Sequence, residues 1–121
     1  MVKRPVSIAI IGGLFIGLGT SVMLANLFWL ARGQGVGAEE YRDLAWVFGT
    51  ELLAVVAGVF LLRGRNWARW LVVAWMVFHV VLSAVHPGHA LVVHGVLTAV
   101  VIYFLFRAPA SEYFRGGTVR E

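Results

Sequence analysis

From Val6 to Leu30 the chain runs VSIAIIGGLFIGLGTSVMLANLFWL without one charged residue. Three more stretches follow the same pattern. Leu44 to Leu62 contains one acid, Trp67 to Val85 one arginine, and Ala90 to Phe106 no charge at all. A helix needs about 20 mostly apolar residues to cross a bilayer, and each stretch approaches or exceeds that length. The expected fold is therefore all-α. It is an integral membrane four-helix bundle of up-down-up-down order, with spans over 6–30, 44–62, 67–85 and 90–106 in a single domain. Residues 107–121 are expected to form a tail on the membrane interface.

Composition points the same way. Of 121 residues, 60% are hydrophobic and 13% charged, and the mean hydropathy is +0.85. A soluble domain carries about 25% charged residues, and so short a chain has no core large enough to hide this much apolar sequence. The absence of cysteine excludes disulfides, thiolate metal sites and thiol redox chemistry.

The charges assign a direction. Lys3, Arg4, Arg63, Arg65, Arg69, Arg107, Arg115 and Arg120 fall at one end of the expected bundle; only Arg32 and Arg42 fall at the other. Cytoplasmic loops carry the excess of basic residues, so both termini are expected in the cytoplasm. The net charge of +4 is then a matter of orientation, and no nucleic-acid partner is implied. The first span is too long for the roughly 7–15-residue apolar core of a secretory signal, and no cleavage site follows it.

The loops read as punctuation. In LLRGRNWARW, Gly64 suits the left-handed end of one helix and Asn66 the N-cap of the next. Trp67 and Trp70 lie at interfacial depth, with Arg63, Arg65 and Arg69 in reach of headgroup phosphates. The loop ARGQGVGAEEYRD is expected to be flexible as far as Gly37, with a short helix from Ala38 leading into the second span. Its GQGVG has no strand before it and is not a nucleotide loop. Pro109 is expected to stop the fourth helix. Tyr113, Phe114 and Arg115 then suit an interfacial segment that frays beyond Gly116.

Small residues recur every four positions in the first span, at Ala9, Gly13, Gly17, Ser21 and Ala25. Such a stripe lets another helix approach closely. The second span has a shorter version in Thr50, Ala54 and Gly58, and the two faces are expected to pack on each other or on a second subunit.

Candidate chemistry is confined to the end opposite the basic residues. All four histidines lie in HVVLSAVHPGHALVVH, residues 79–94. His86 and His89 flank an outer turn at Pro87 and Gly88. His79 and His94 lie deeper, at similar depth on adjacent helices. Glu51, the one acid inside a span, falls at that depth on the second helix. An ionisable group there is a functional candidate by default. Asn26 on the first span, Ser83 and Thr98 complete a polar layer. Three readings are open: a hydrogen-bonded network that fixes helix register, a metal, haem or quinone site using neutral imidazole, and a proton-linked or solute-transport site. No zinc-type ligand spacing and no serine–histidine–acid arrangement is present, and no cofactor is the leading expectation.

The N-terminal Lys3-Arg4-Pro5, the GRNWAR turn and the LFRAPASEYF ending resemble a group of small, four-span membrane proteins of the bacterial inner membrane. The architecture is more distantly similar to DoxX-like proteins, which implies a link to membrane redox systems. Small multidrug transporters also have four spans, but they carry their membrane glutamate in the first, where this chain has none. The expected function is a non-enzymatic accessory or interaction subunit, as a homo-oligomer or with another membrane subunit. The alternative is a ligand-, metal- or proton-handling protein built on Glu51, His79 and His94.

Overall fold

The computed structural model describes residues 3–33, 37–86 and 88–118. Residues 34–36 of the first loop and Pro87 lie outside this set. The regular structure among the described residues is helical: α1 (Val6–Ala31), α2 (Ala38–Leu62), α3 (Asn66–Val85), α4 (Ala90–Phe106) and α5 (Ala108–Thr118). The first three are long and apolar enough to cross a membrane, and α4 passes that test together with α5, to which it is bent by 58°. The short helix expected at Ala38 is the first turns of a continuous α2. The Glu40 carboxylate accepts the Gly37 N–H there, and Glu39 and Glu40 complement the positive end of the helix dipole.

Successive helices run antiparallel. Gly12 of α1 faces Gly58 of α2, and Gly19 faces Glu51. Trp46 meets Phe78 and Phe60 meets Trp67 between α2 and α3. Ser83 meets His94, and Trp70 meets Phe106, between α3 and α4. The fully buried apolar residues gather at the basic end, where Ile8, Leu61, Ala68, Leu105, Ala110 and Phe114 have no exposed surface. Much of the remaining apolar surface faces outward. Val6 is 74% exposed, Leu18 61% and Val92 67%, while the polar Ser83 and Thr98 are buried.

The α1–α2 contact corrects the expected packing. A Cβ at Gly12 would lie 2.6 Å from the Leu62 side chain, and one at Gly58 would lie 2.7 Å from the Gly12 carbonyl oxygen. One at Gly19 would lie 2.9 Å from the Glu51 carbonyl oxygen. Gly12, Gly19 and Gly58, with Ala54, thus let the two backbones touch. On α1 the expected stripe of Ala9, Gly13, Gly17, Ser21 and Ala25 is exposed, with open space around the Cβ positions of Gly13 and Gly17. The reason is the company each face keeps. Gly12 and Gly19 share their face with Ile8, Ile11 and Phe15, whose bulk fills the bundle beside the notch. A stripe of small residues alone supplies the notch without the filling.

At the basic end, Gly64 adopts φ +75°. Arg65 N–H bonds to Phe60 O at 3.0 Å and Gly64 N–H to Leu61 O at 3.1 Å, closing α2 in a Schellman motif. The Tyr113 ring lies 3.2 Å from the Cβ position of Gly64, so a side chain there would be crowded as well as strained by φ. The N-cap of α3 is Arg65, not Asn66. Asn66 is already inside the first turn, and its Oδ1 is buried without a hydrogen bond.

Pro109 interrupts α4 and also sits in the first turn of α5. Lacking an N–H, it cannot bond to the Leu105 carbonyl, and the Arg69 guanidinium takes that carbonyl at 3.4 Å instead. Ser111 Oγ donates to Phe106 O at 3.0 Å. In the first turn of α5 the missing N–H has no intrahelical role to lose. The tail therefore turns back as a helix, buries Phe114, and donates the Tyr113 hydroxyl to Leu62 O at 2.7 Å.

Candidate functional site

The polar layer at the other end is built on α3. His79, Ser83 and Trp75 follow one another at four-residue spacing and so share a helix face. Ser83 Oγ lies 2.8 Å from His79 O and 2.6 Å from His94 Nδ1 on α4. A carbonyl only accepts, so the single hydroxyl hydrogen goes to His79 O. The His94 Nδ1–H then donates to Ser83 Oγ. His79 Nδ1 lies 2.9 Å from Trp75 O and must also be the donor. These bonds place a hydrogen on Nδ1 of both rings, and in the neutral form of either ring Nε2 is then the acceptor. The two ring centres are 6.2 Å apart and the rings do not bond each other; Ser83 links the His79 backbone carbonyl to the His94 ring. Thr98 Oγ1 donates to His94 O at 2.6 Å.

Trp75 was not singled out in the sequence, yet it joins three helices. Its indole N–H donates to Thr50 O of α2 at 2.8 Å. Its ring stacks on His79 at 3.7 Å and meets Phe15 of α1 edge-on at 5.2 Å. The available signal was its position four residues before His79, on the same face. Phe78 adds an edge contact to His79 at 5.3 Å.

Glu51 lies one residue beyond the carbonyl that receives Trp75. Its carboxyl is within electrostatic reach of His79. It is half-buried and makes no hydrogen bond among the described residues. The structure thus joins the Ser83 and His94 side chains directly, ties His79 and Thr98 to backbone carbonyls of their own helices, and brings Glu51 near His79 without a bond. Asn26 is separate: its amide donates to Val22 O at 2.8 Å. With Trp29, Glu40 and Asp43 it lines an open cleft of about 450 Å³ between α1 and α2. His86 and His89 are exposed at the turn, and His86 Nδ1 bonds Leu82 O at 2.8 Å. Among the described residues no three His, Cys, Asp or Glu side chains are placed to hold a metal ion, so Glu51, His79 and His94 do not form a ready three-ligand centre.

A second polar cluster lies at the basic end, where sequence reasoning gave Arg69 only a headgroup contact and Arg107 only a share in the charge bias. Arg69 packs over the rings of Phe106 at 4.6 Å and Phe114 at 5.3 Å. Arg107 packs over Phe104 at 4.7 Å and reaches Ser7 Oγ at 3.4 Å. The Nε atoms of both arginines are buried without a hydrogen bond.

Comparison of the chain with protein-family models, with curated proteins and with solved structures gave no match. The functional reading therefore rests on the residues and their geometry.

Proposed function

We propose that the chain is a multi-pass protein of the bacterial inner membrane, crossing it four times with both termini cytoplasmic, and that it works as a non-enzymatic interaction subunit. One distribution supports this reading. Large apolar side chains cover the outside of all four long helices, and the polar Ser83 and Thr98 are inside. Contiguous apolar surface of this extent is not left facing water by a soluble monomer; in a bilayer it is the solvated surface. On that surface α1 leaves space beside Gly13 and Gly17 where a partner helix can seat. The polar layer then serves as a lock. Ser83 and His94 bond across α3 and α4, while His79 and Thr98 bond backbone carbonyls of their own helices, so the Ser83–His94 bond holds the register of the two helices.

The test is mass in mild detergent. Wild type is expected as an oligomer or with a co-purified subunit, and Gly17→Leu as a folded monomer. A monomeric wild type with no companion contradicts the interaction reading and leaves the bilayer as the occupant of that face.

A second reading is favoured by one observation. In the neutral rings both imidazole Nε2 atoms are acceptors, and the Glu51 carboxyl stands near His79 without a hydrogen bond. That arrangement suits a group that takes up and releases a proton. Proton-coupled activity in reconstituted vesicles, abolished by Glu51→Gln in a folded protein, would select this reading over the first.

A further inference from the structure

The seam between α1 and α2 repeats every seven residues, which returns a helix to nearly the same face. Gly12, Gly19 and Asn26 mark it on α1, and Gly58, Glu51 and Leu44 on α2. At the first two steps a glycine lets the backbones touch. The third step sets Asn26 and Leu44 on the seam with no glycine between them. There the cleft of about 450 Å³ opens, a volume that suits a small organic ligand. Trp29 and Leu44 give it apolar walls, and Glu40 and Asp43 are the charged groups that line it. Asp43 lies beyond the first turn of α2, where a carboxylate neither caps the helix nor gains from its dipole. It makes no hydrogen bond or ion pair among the described residues. Glu40 accepts only the Gly37 N–H. Arg32 lies over the Phe28 ring at 4.5 Å, and neither it nor Arg42 pairs with the two acids among the described residues.

Two carboxylates lining one cleft favour a cation there, and the walls say which kind. Among the described residues no three His, Cys, Asp or Glu side chains are placed to hold a metal ion, and an indole and a leucine offer a hydrated metal ion nothing. The same walls suit an ammonium group on an apolar body. Its N–H groups donate to carboxylate oxygens, its charge is attracted to the indole face, and its body leaves water against the leucine. We propose that the cleft between α1 and α2 binds one organic ammonium ion, with Asp43 and Glu40 on its charge and Trp29 and Leu44 on its body. The site needs only α1 and α2 as they stand and does not depend on the interaction reading. Two sources carry this chemistry, a soluble amine and the ammonium headgroup of phosphatidylethanolamine.

The experiment is equilibrium dialysis of the full chain in maltoside micelles against benzylammonium, with protein-free micelles as the blank and helical circular dichroism to show that each variant is folded. Wild type is expected to saturate at one benzylammonium per chain and to bind neither benzyl alcohol nor benzoate in this way. Asp43→Asn keeps the shape of an exposed side chain and removes its charge, and should weaken binding about tenfold, the size of one charge-assisted hydrogen bond. Trp29→Leu should weaken it about two- to fivefold, the size of an exposed cation–π contact. Glu39→Gln removes a charge on the same turn of α2 but outside the cleft, and should leave binding unchanged. If Glu39→Gln weakens binding as much as Asp43→Asn, the attraction is diffuse surface charge and the site is refuted. Benzyl alcohol bound as tightly as benzylammonium, or no saturable binding by helical wild type, also overturns it. Displacement of benzylammonium in nanodiscs by phosphatidylethanolamine and not by phosphatidylglycerol supports the site and assigns it to the lipid headgroup. Benzylammonium binding that neither lipid displaces supports it and assigns it to soluble amines.

Discussion

Replacing Gly58 by alanine and Gly13 by alanine makes the same chemical change at two glycines of apolar helices, and the outcomes should differ. Both substitutions gain helix propensity, worth about 0.8–1.0 kcal/mol in water, so that contribution cancels when the two are compared. At Gly58 the new methyl would lie 2.7 Å from the Gly12 carbonyl oxygen and 2.9 Å from the Ile16 side chain. The first obstacle is backbone, so no rotamer relieves it and α1 must move away from α2. Overpacking of this kind costs about 1–3 kcal/mol. At Gly13 the methyl meets nothing within 4 Å. Gly58→Ala should therefore be less stable than Gly13→Ala by about 1–3 kcal/mol. The assay is unfolding in mild detergent, titrated with a denaturing detergent and followed by helical circular dichroism. Equal stability of the two variants would refute the close approach at Gly12 and Gly58. A loss at Gly13 with none at Gly58 would restore the stripe as the internal contact.

Ser83→Ala leaves the His94 Nδ1–H without its acceptor; side-chain hydrogen bonds in membrane bundles average about 0.6 kcal/mol with a maximum of about 1.7, so a loss of about 1 kcal/mol is expected in the same unfolding assay, and none would show that the lock contributes nothing. Trp75→Phe keeps an aromatic ring but removes the N–H that reaches Thr50 O together with part of the indole surface; its loss should be at least of that size, and a Trp75→Leu loss no greater than that of Trp75→Phe would deny a role to the stack on His79. Phe114→Ala empties a fully buried site, where deletion of an aromatic side chain costs about 3–5 kcal/mol in soluble cores. It should free α5, seen as faster cleavage by trypsin after Arg115, and unchanged cleavage would mean that α5 is not docked through this residue.

The helices were legible in the sequence because each is a long apolar run ended by recognisable chemistry. Gly64 and Pro109 mark the ends of α2 and α4 by backbone rules that hold in any surroundings. The pairing of faces was less legible. The repeat through Gly13 and Gly17 is a stronger pattern than the pair Gly12 and Gly19, yet only the latter has Ile8, Ile11 and Phe15 beside it to fill the bundle. The polar layer was legible as depth, since His79, His94 and Glu51 can be counted along their helices. Depth does not give azimuth, so neither the bridging place of Ser83 nor the separation of Asn26 could be read from it. The docking of α5 was hidden for another reason. It depends on the Leu105 carbonyl, which Pro109 leaves open and which Arg69, distant in sequence, comes to fill.

The most direct test of the account is the sidedness of the bundle in intact cells. Single cysteines can be placed in this cysteine-free chain at Glu39 and His89 at one end, and at Arg65 and Glu112 at the other, and exposed to a thiol reagent that does not cross the membrane. All four positions are exposed in the fold, so only a bilayer can separate them. Labelling at Glu39 and His89, with none at Arg65 and Glu112 until the cells are opened, is the predicted result. Labelling of Arg65 or Glu112 from outside would contradict the four-span, cytoplasmic-termini reading on which the proposed function stands.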